Sequence, residues 1–256
     1  GYLSVQGGHR VGITGKVILD GECIRGMKYI SCINGLDVTA RYTDESVTEI
    51  FLPLLRRLTA LQREKERRIL VMLAAPPAAG KSTLVSFLEH LSRTEAGLTP
   101  VQSIGMDGFH HYQDYLNSHT VVKNGKEISM ARVKGSPISF DLPLMTERIR
   151  RIAAGESCTW PIYNRKLHNP QDNAIEITGD IILLEGNYLL LDRPGWADLR
   201  KYADYTVRIS ADKNDVRERL IRRKAASTGW SREQTEQFVD YSDLDNVIEV
   251  TDHSFP

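Results

Sequence analysis

The sequence predicts a three-layer α/β domain in which a mostly parallel sheet lies between helices. A continuous apolar run, Ile69 to Ala74, fits a strand that is buried on both faces. Further strand candidates alternate with helical patterns; the strands are Val101 to Met106, Asp180 to Leu184 and Tyr205 to Ile209, and the helices lie around Leu142 to Ala154 and Lys213 to Ala226. This alternation is typical of parallel sheets.

Composition limits the function classes. The 256 residues are 41% hydrophobic and 26% charged, which suits one domain or one with a small appendage. Lys plus Arg is 33 and Asp plus Glu is 33, so no excess positive charge favours a nucleic-acid partner. The three scattered cysteines do not form a disulfide framework, and no apolar run approaches the roughly 20 residues that cross a bilayer. We expect a soluble cytoplasmic protein without a membrane partner, and a homodimer is one option for its assembly.

Three segments are predicted. Residues 1–26 precede the first methionine, Met27, and are expected to be an extension or an expression scar. Residues 27–68 predict a hairpin that turns at Asn34-Gly35. An amphipathic helix follows, which starts near the capping candidate Asp44 and is kinked or restarted by Pro53. Residues 69–256 form the main domain, with a candidate lid near 212–226.

The segment from Ala75 to Thr83 matches the phosphate-loop pattern G-x-x-x-x-G-K-[ST] at every fixed position except the first, where Ala75 replaces Gly. A strand before it and a helix after it disfavour the alternative that the string merely starts a helix. Lys81 would reach the β- and γ-phosphates of ATP, and Ser82 would ligate Mg²⁺. The amides expected to surround the phosphates belong to Ala78, Ala79, Gly80, Lys81, Ser82 and Thr83. Because alanine carries a Cβ atom that glycine lacks, Ala75 should restrict the backbone conformations available to the turn.

Two acidic residues follow strand candidates. Asp107 would lie at the carboxyl edge of the sheet, where it could accept the proton of an attacking hydroxyl; alternatively, it caps a turn. Glu185 leaves another strand at the same edge and is a candidate for holding Mg²⁺ through water. The adjacent His110 and His111 could contact the substrate, support the loop or bind a metal, although neighbouring side chains point in different directions.

The helix near residue 217 is rich in arginine. Such a face is often only solvated, but charges beside a transferring phosphate would stabilise it. The helical segment from Asp215 to Lys224 is therefore a lid candidate.

Taken together, these residues resemble the pantothenate kinases and uridine kinases among the P-loop kinases. The resemblance looks closest to the bacterial nucleoside/nucleotide kinase-like proteins labelled as fructose transport system kinases. It covers about Met27 to Ser242. Its marks are the Pro-Pro phosphate loop and four further blocks: Met106 to Tyr112, Lys134 to Asp141, Trp160 to Arg165 with His168, and Leu184 to Asp192.

The resemblance implies a P-loop NTPase fold, ATP and Mg²⁺ as cofactors, and Asp107 as the catalytic base. It also implies that Glu185 supports Mg²⁺. One of the lid arginines, Arg217, Arg219, Arg222 or Arg223, would close over the phosphates, with Arg217 expected to bind the nucleotide and Arg219 and Arg223 expected to act in catalysis. The acceptor side would include His110, Tyr163, Arg165 and His168. Packing in the core is the alternative for Tyr163 and Trp160. Lys134 and Asp141 lie in the acceptor block without assigned contacts. The chain beyond Ser242 is shorter than the resemblance implies, so we expect that the final strand and the adenine-side loop are truncated or rearranged, or that a disordered stretch is absent from the sequence.

We therefore expect an ATP-dependent phosphotransferase that acts on a hydroxyl of a small metabolite, such as a nucleoside, a sugar or a pantothenate-like acid. The alternative is a P-loop ATPase or a nucleotide-binding regulator without an acceptor. Asp107 distinguishes the two, because a kinase needs a base that faces an acceptor. A pseudoenzyme is disfavoured because Lys81, Ser82, Asp107 and Glu185 occur together.

Overall fold

The computed structural model describes residues 2–5, 9–12, 27–33 and 36–256. Its strands are β1 Tyr2–Val5, β2 His9–Gly12, β3 Met27–Ile33, β4 Leu36–Tyr42, β5 Ile69–Ala74, β6 Val101–Gly105, β7 Thr120–Lys123, β8 Lys126–Ser129, β9 Thr159–Asn164, β10 Asn169–Glu176, β11 Ile181–Gly186 and β12 Tyr205–Ser210. Its α-helices are α1 Asp44–Ser46, α2 Leu52–Lys65, α3 Lys81–Thr94, α4 Gln113–Ser118, α5 Leu142–Ala153, α6 Lys213–Thr228, α7 Arg232–Phe238 and α8 Leu244–His253.

Shorter turns connect these elements. Segments of 3₁₀-helix occupy Met106–Phe109, Met130–Val133, Pro137–Ser139 and Ala197–Tyr202, and π-helical turns occupy Val47–Phe51 and Val239–Asp243. None of the helices in the described ranges is both long and apolar enough to span a bilayer.

The central sheet has the order β2-β1-β12-β5-β11-β6. Strands β12, β5, β11 and β6 are parallel, with Ile181 of β11 beside Ile69 of β5 and Val101 of β6. The predicted parallel sheet is therefore confirmed. Strand β1 adds to it antiparallel, with Tyr2 opposite Ser210 of β12. Part of the N-terminal segment that sequence analysis set aside thus extends the sheet.

The predicted N-terminal hairpin is present. Strands β3 and β4 pair antiparallel from Met27 opposite Tyr42 to Ile33 opposite Leu36, while the proposed turn at residues 34–35 lies outside the described residues. Thr43, one residue before the expected Asp44, caps the following helical segment by accepting a hydrogen bond from the Ser46 amide at 3.0 Å. Pro53 lies in the first turn of α2, where its missing N–H is tolerated, so the proline restarts the helix.

Alternate residues of β5 pack into two separate cores. Val71 and Leu73 face one cluster with Leu58 of α2 and Phe87 of α3. Leu70 and Met72 face the other, which contains residues of α5 and the segment after β11. Because successive side chains of a strand point to opposite faces, this arrangement produces helix, sheet and helix layers. The predicted three-layer α/β fold is confirmed.

The carboxyl ends of β5, β6 and β11 meet at one edge of the sheet. At this edge β5 leads into the phosphate loop, β6 into the turn that contains Asp107, and β11 into Gly186. Close packing holds the turn after β6 against β9: a Cβ on Gly108 would lie 2.2 Å from the carbonyl oxygen of Pro161, so only glycine fits there. Open α/β sheets bind their ligands at this edge.

Candidate active site

The phosphate loop turns through two left-handed residues. Ala78 has φ 59° and Gly80 has φ 89°, and helix α3 begins immediately afterwards at Lys81. Ala75 keeps a negative φ and is buried. The expected restriction at Ala75 is therefore relieved, because the left-handed turning occurs farther along the loop. The Ala79 amide, which was expected to bind phosphate, instead donates to the Pro76 carbonyl at 3.2 Å. The first amides of α3 lack intrahelical acceptors, so they remain available to an anion.

Ser82 and Glu185 form the second part of the site. The Ser82 hydroxyl donates a hydrogen bond of 2.7 Å to Glu185 Oε1. Desolvation raises the pKa of Glu185, and the charge of Asp107 adds to this effect, whereas Lys81 and the hydrogen bond from Ser82 oppose it. The described residues contain no group of three acidic, histidine or cysteine side chains placed to hold a metal. One hydroxyl and one carboxylate nevertheless fit Mg²⁺, which takes most of its oxygen ligands from phosphates and water.

Asp107 lies in the 3₁₀ turn that follows β6. Its carboxylate has no hydrogen bond to another described residue, and the recorded turn hydrogen bond uses its carbonyl oxygen, which accepts from the His110 amide at 3.2 Å. The capping alternative therefore lacks the side-chain hydrogen bond that it requires. A cavity of about 300 Å³ is lined by Asp107 together with Ser82, Tyr163 and Glu185.

His110 is fixed by its neighbours. Its Nδ1 lies 2.8 Å from the carbonyl oxygen of Asp107, which can only accept, so Nδ1 carries the proton and Nε2 is an acceptor in the neutral ring. Burial lowers the pKa of His110, although the charge of Asp107 opposes this shift. The ring lies 4.0 Å from Phe140 and 5.1 Å from Tyr163, measured between centroids. His111 instead stacks on Tyr115 at 4.2 Å, so the two imidazoles diverge as expected.

The hairpin of β9 and β10 carries three predicted acceptor-side residues. Tyr163 is half-buried, and its pKa is raised by desolvation and then by the charge of Asp107. Arg165 is exposed, yet its charge opposes the rise in the pKa of both Tyr163 and Glu185, which indicates that it lies near the cavity. His168 has a left-handed φ of 52° and an exposed side chain, and its carbonyl oxygen accepts from Lys134 at 3.0 Å. Trp160 is a core residue, packed edge-on against Phe109 at 4.7 Å.

Helix α6 lies against the phosphate loop, because its Leu220 and Ile221 share a buried cluster with Ala78. The pKa of Arg223 on this helix is lowered by desolvation and then by the charge of Arg165, while Asp243 and Asp107 oppose the shift. The Arg223 side chain is exposed, and the effect of the Arg165 and Asp107 charges on its pKa indicates that it lies near the site.

The other two lid candidates lie differently. Arg217 donates two hydrogen bonds, of 2.7 and 2.8 Å, to the carboxylate of Asp240 and is not brought to the loop. Arg219 lies one turn before Arg223 on α6 and is likewise exposed, but its side chain forms no hydrogen bond with another described residue.

Two residues near the site had no role assigned from sequence. Lys134 donates to Gln113 Oε1 at 2.8 Å and lies 5.2 Å from the centre of the Tyr163 ring. Asn187, two residues after Glu185, has a buried Oδ1 without a hydrogen-bond partner in the described part of the chain. Both lie within the sequence blocks that carry the family resemblance, and this was the available signal. Asp141, in contrast, caps α5 by accepting from the Leu144 amide at 3.0 Å.

Known proteins are similar to this chain in sequence over most of its length. The chain is 39% identical over 225 residues to "Uncharacterized protein YggC" of Escherichia coli (strain K12), covering 88% of this chain and 90% of that protein. It is 27% identical over 230 residues to a pantothenate kinase of Shewanella loihica, covering 78% and 69% of the respective chains.

A solved structure and two family profiles are also similar to this chain. A crystal structure described as a "putative fructose transport system kinase" from Silicibacter sp. TM1040 superimposes with a TM-score of 0.65 and 26% identity, covering 78% of this chain and 96% of that one. A profile described as Sporulation stage III, protein AA, matches residues 1–105, and the profile of the Phosphoribulokinase / Uridine kinase family matches residues 70–250. Since the second match spans most of the chain and includes the whole candidate site, the protein belongs to the Phosphoribulokinase / Uridine kinase family.

Proposed function

We propose that this protein transfers the γ-phosphoryl group of ATP to a hydroxyl group of a small metabolite in the cytoplasm. The observation that supports this best is the carboxylate of Asp107. It has no capping hydrogen bond, and it lines the same cavity as Ser82 and Glu185 beside the phosphate loop. A nucleotide-binding regulator has no need of an unbonded carboxylate at this position, whereas a kinase needs a base there.

Each residue would contribute a separate effect. The amides that precede and begin α3 would bind the phosphates, with Lys81 as a point charge beside them. Glu185 and Ser82 would hold Mg²⁺, which neutralises developing charge when it is bound. Asp107 would accept the proton of the acceptor hydroxyl, and Arg223 would stabilise the transferring group when α6 closes.

The acceptor side of the site offers mainly polar groups. His110 Nε2 could accept a hydrogen bond, and the Tyr163 hydroxyl could donate or accept one. The names of the family, of the Shewanella relative and of the Silicibacter structure indicate a nucleoside, a pantothenate-like acid or a sugar as candidate classes. All three present a hydroxyl that Asp107 could deprotonate.

The test is an ATP-consumption screen against hydroxyl-bearing metabolites, run with the parent protein and with Asp107→Asn. This change keeps the shape and removes the proton acceptor, so turnover should fall by about 10²–10⁴-fold. The affinity for Mg·ATP and the melting temperature should stay close to those of the parent. Asp114→Asn, the same change at an exposed position on α4, is the matched control and should retain full turnover.

Two results would contradict the proposal. One is acceptor-dependent turnover that Asp107→Asn leaves intact. The other is ATP hydrolysis at the same rate with and without every acceptor, which would favour the ATPase alternative.

A further inference from the structure

Lys134 occupies a rigid loop at the acceptor side. The next residue is held by two hydrogen bonds: the Tyr188 hydroxyl donates to the Gly135 carbonyl at 2.6 Å, and the Gly135 amide donates to Ser139 Oγ at 2.9 Å. Tyr188 itself is fully buried. Lys134 is half-buried, and desolvation lowers its pKa. The fold therefore holds the ammonium group in place, and the group loses part of its hydration there.

The partners of this ammonium group are neutral. Its Nζ donates to Gln113 Oε1 at 2.8 Å and to the His168 carbonyl at 3.0 Å, which leaves one of its three N–H groups free. No carboxylate of the described residues forms an ion pair with it. Three other lysines do have such partners: Lys65 pairs with Asp204, Lys123 with Asp245 and Lys213 with Asp252. A partly desolvated cation without a counter-ion is unfavourable unless a ligand supplies the negative charge.

Lys134 also lies beside the groups proposed to act on the acceptor. Its Nζ is 5.2 Å from the centre of the Tyr163 ring, and its charge contributes to the low pKa of His110. His110 in turn donates from Nδ1 to the backbone carbonyl oxygen of Asp107 at 2.8 Å. A small molecule could therefore extend from Asp107, past His110 and Tyr163, to Lys134.

We propose that the acceptor is an anionic metabolite whose carboxylate or phosphate binds Lys134 while its hydroxyl lies against Asp107. This inference rests on the proposed kinase function and narrows it, since neutral nucleosides and free sugars become poor acceptors. In the reaction the hydroxyl oxygen forms a bond to the γ-phosphorus of ATP, and the bond between that phosphorus and the bridging oxygen breaks. The proton passes to Asp107, ADP leaves, and the anionic group is unchanged.

Matched pairs of compounds test the proposal. One arm compares hydroxy acids with the corresponding polyols, and the other compares sugar monophosphates with the free sugars. We expect kcat/KM to be at least tenfold higher for the anionic member of one arm, and the arm in which this occurs identifies carboxylate or phosphate. Equal or higher kcat/KM for the neutral members would overturn the inference and leave the proposed function intact. Absence of phosphorylation in both arms and in the wider screen would overturn both.

Substitutions then connect the preference to Lys134. Lys134→Met should raise KM for the anionic acceptor at least tenfold, with kcat and the KM for Mg·ATP changed far less, and Lys134→Arg should recover part of the loss. Lys126→Met, at an exposed lysine of β8, is the control and should behave as the parent. If Lys134 only links Gln113 to His168, Lys134→Met would lower the melting temperature and impair anionic and neutral acceptors equally, which would contradict the proposal.

Discussion

At the residue scale, Glu185 combines two opposing demands. Desolvation raises its pKa, which means that the folded protein disfavours the ionised carboxylate. Binding of Mg²⁺ requires that same ionised form. The hydrogen bond from Ser82 at 2.7 Å and the charge of Lys81 reduce the penalty but do not remove it. Such a conflict between stability and function is common at active sites.

This conflict predicts the behaviour of Glu185→Gln. The pKa in the folded state is raised above the ordinary Glu value of about 4.3, so the parent loses stability as pH rises through that folded-state pKa. Glutamine keeps an oxygen that accepts from Ser82 and carries no charge. Without ligand, the variant should therefore melt higher than the parent at pH 8, and the difference should narrow as the pH is lowered towards 5.

Calorimetric melting across this pH range checks the prediction, and the stabilisation by Mg·ATP should be smaller in the variant than in the parent. Glu95→Gln, an exposed change directly after α3, is the control and should show neither effect. A Glu185→Gln protein that melts below the parent at pH 8 would contradict the assignment of desolvation as the dominant cause.

At the element scale, α6 couples the phosphate loop to the C-terminal helices. Its buried side chains pack on Ala78 of the loop, and its Arg217 pairs with Asp240 in the following π-helical turn. Successive residues of an α-helix are rotated by about 100° around its axis, so the arginines of α6 lie in different surroundings and have different roles. Arg223 lies close enough to Asp107 for that charge to affect its pKa, whereas Arg217 binds Asp240.

We predict that Arg223→Ala lowers kcat more than it weakens the binding of Mg·ATP. A charge that meets the phosphates chiefly in the closed state stabilises the transition state and not the ground state, so the loss should appear in kcat and reach about 10²-fold or more. Steady-state kinetics and calorimetry on the same preparation separate the two effects. Arg232→Ala removes an arginine whose partners are Glu218 and Glu236, and it should change turnover little. Loss of ATP affinity alone in Arg223→Ala would make this residue a ground-state ligand.

At the scale of the whole molecule, nucleotide binding should be visible as stability. The loop, α3 and the central sheet belong to one packed core, so a ligand held by the loop stabilises the fold as a unit. Binding at 100 times the dissociation constant contributes about 2.7 kcal/mol. For a chain of this size, that free energy corresponds to a rise in melting temperature of about 5–10 °C.

We predict this rise for the parent with Mg·ATP, and a rise of about half or less for Lys81→Ala at the same concentration. Loss of one charge-assisted phosphate contact costs about 1.5–3 kcal/mol, which weakens binding by about 10- to 150-fold. Scanning calorimetry with and without Mg·ATP measures both shifts. Lys126→Ala should keep the parent's shift. An equal shift in Lys81→Ala would contradict the proposal that the phosphate loop binds ATP through Lys81.

The sequence by itself determined the parallel sheet, the phosphate loop and the placing of Asp107 and Glu185 at one edge. Each of these depends on residues close together in the chain: an apolar run of six residues makes β5, and an acidic residue near a strand end lies at the edge. Parallel strands bring their carboxyl ends together whatever the rest of the chain does. The cap at Thr43 was missed by one residue because Thr43 and Asp44 are both good capping residues.

Only the tertiary structure decided which polar side chains meet. Lys134 finds its partners 21 and 34 residues away, at Gln113 and His168, and Arg217 finds Asp240 23 residues away. Local sequence pattern does not determine such contacts, because they depend on how separate elements pack and on which rotamer each side chain adopts. The addition of β1 to the sheet beside β12 likewise joins segments from opposite halves of the chain. Patterns of a few residues therefore located the phosphate loop and its edge, whereas packing between distant segments shaped the acceptor side.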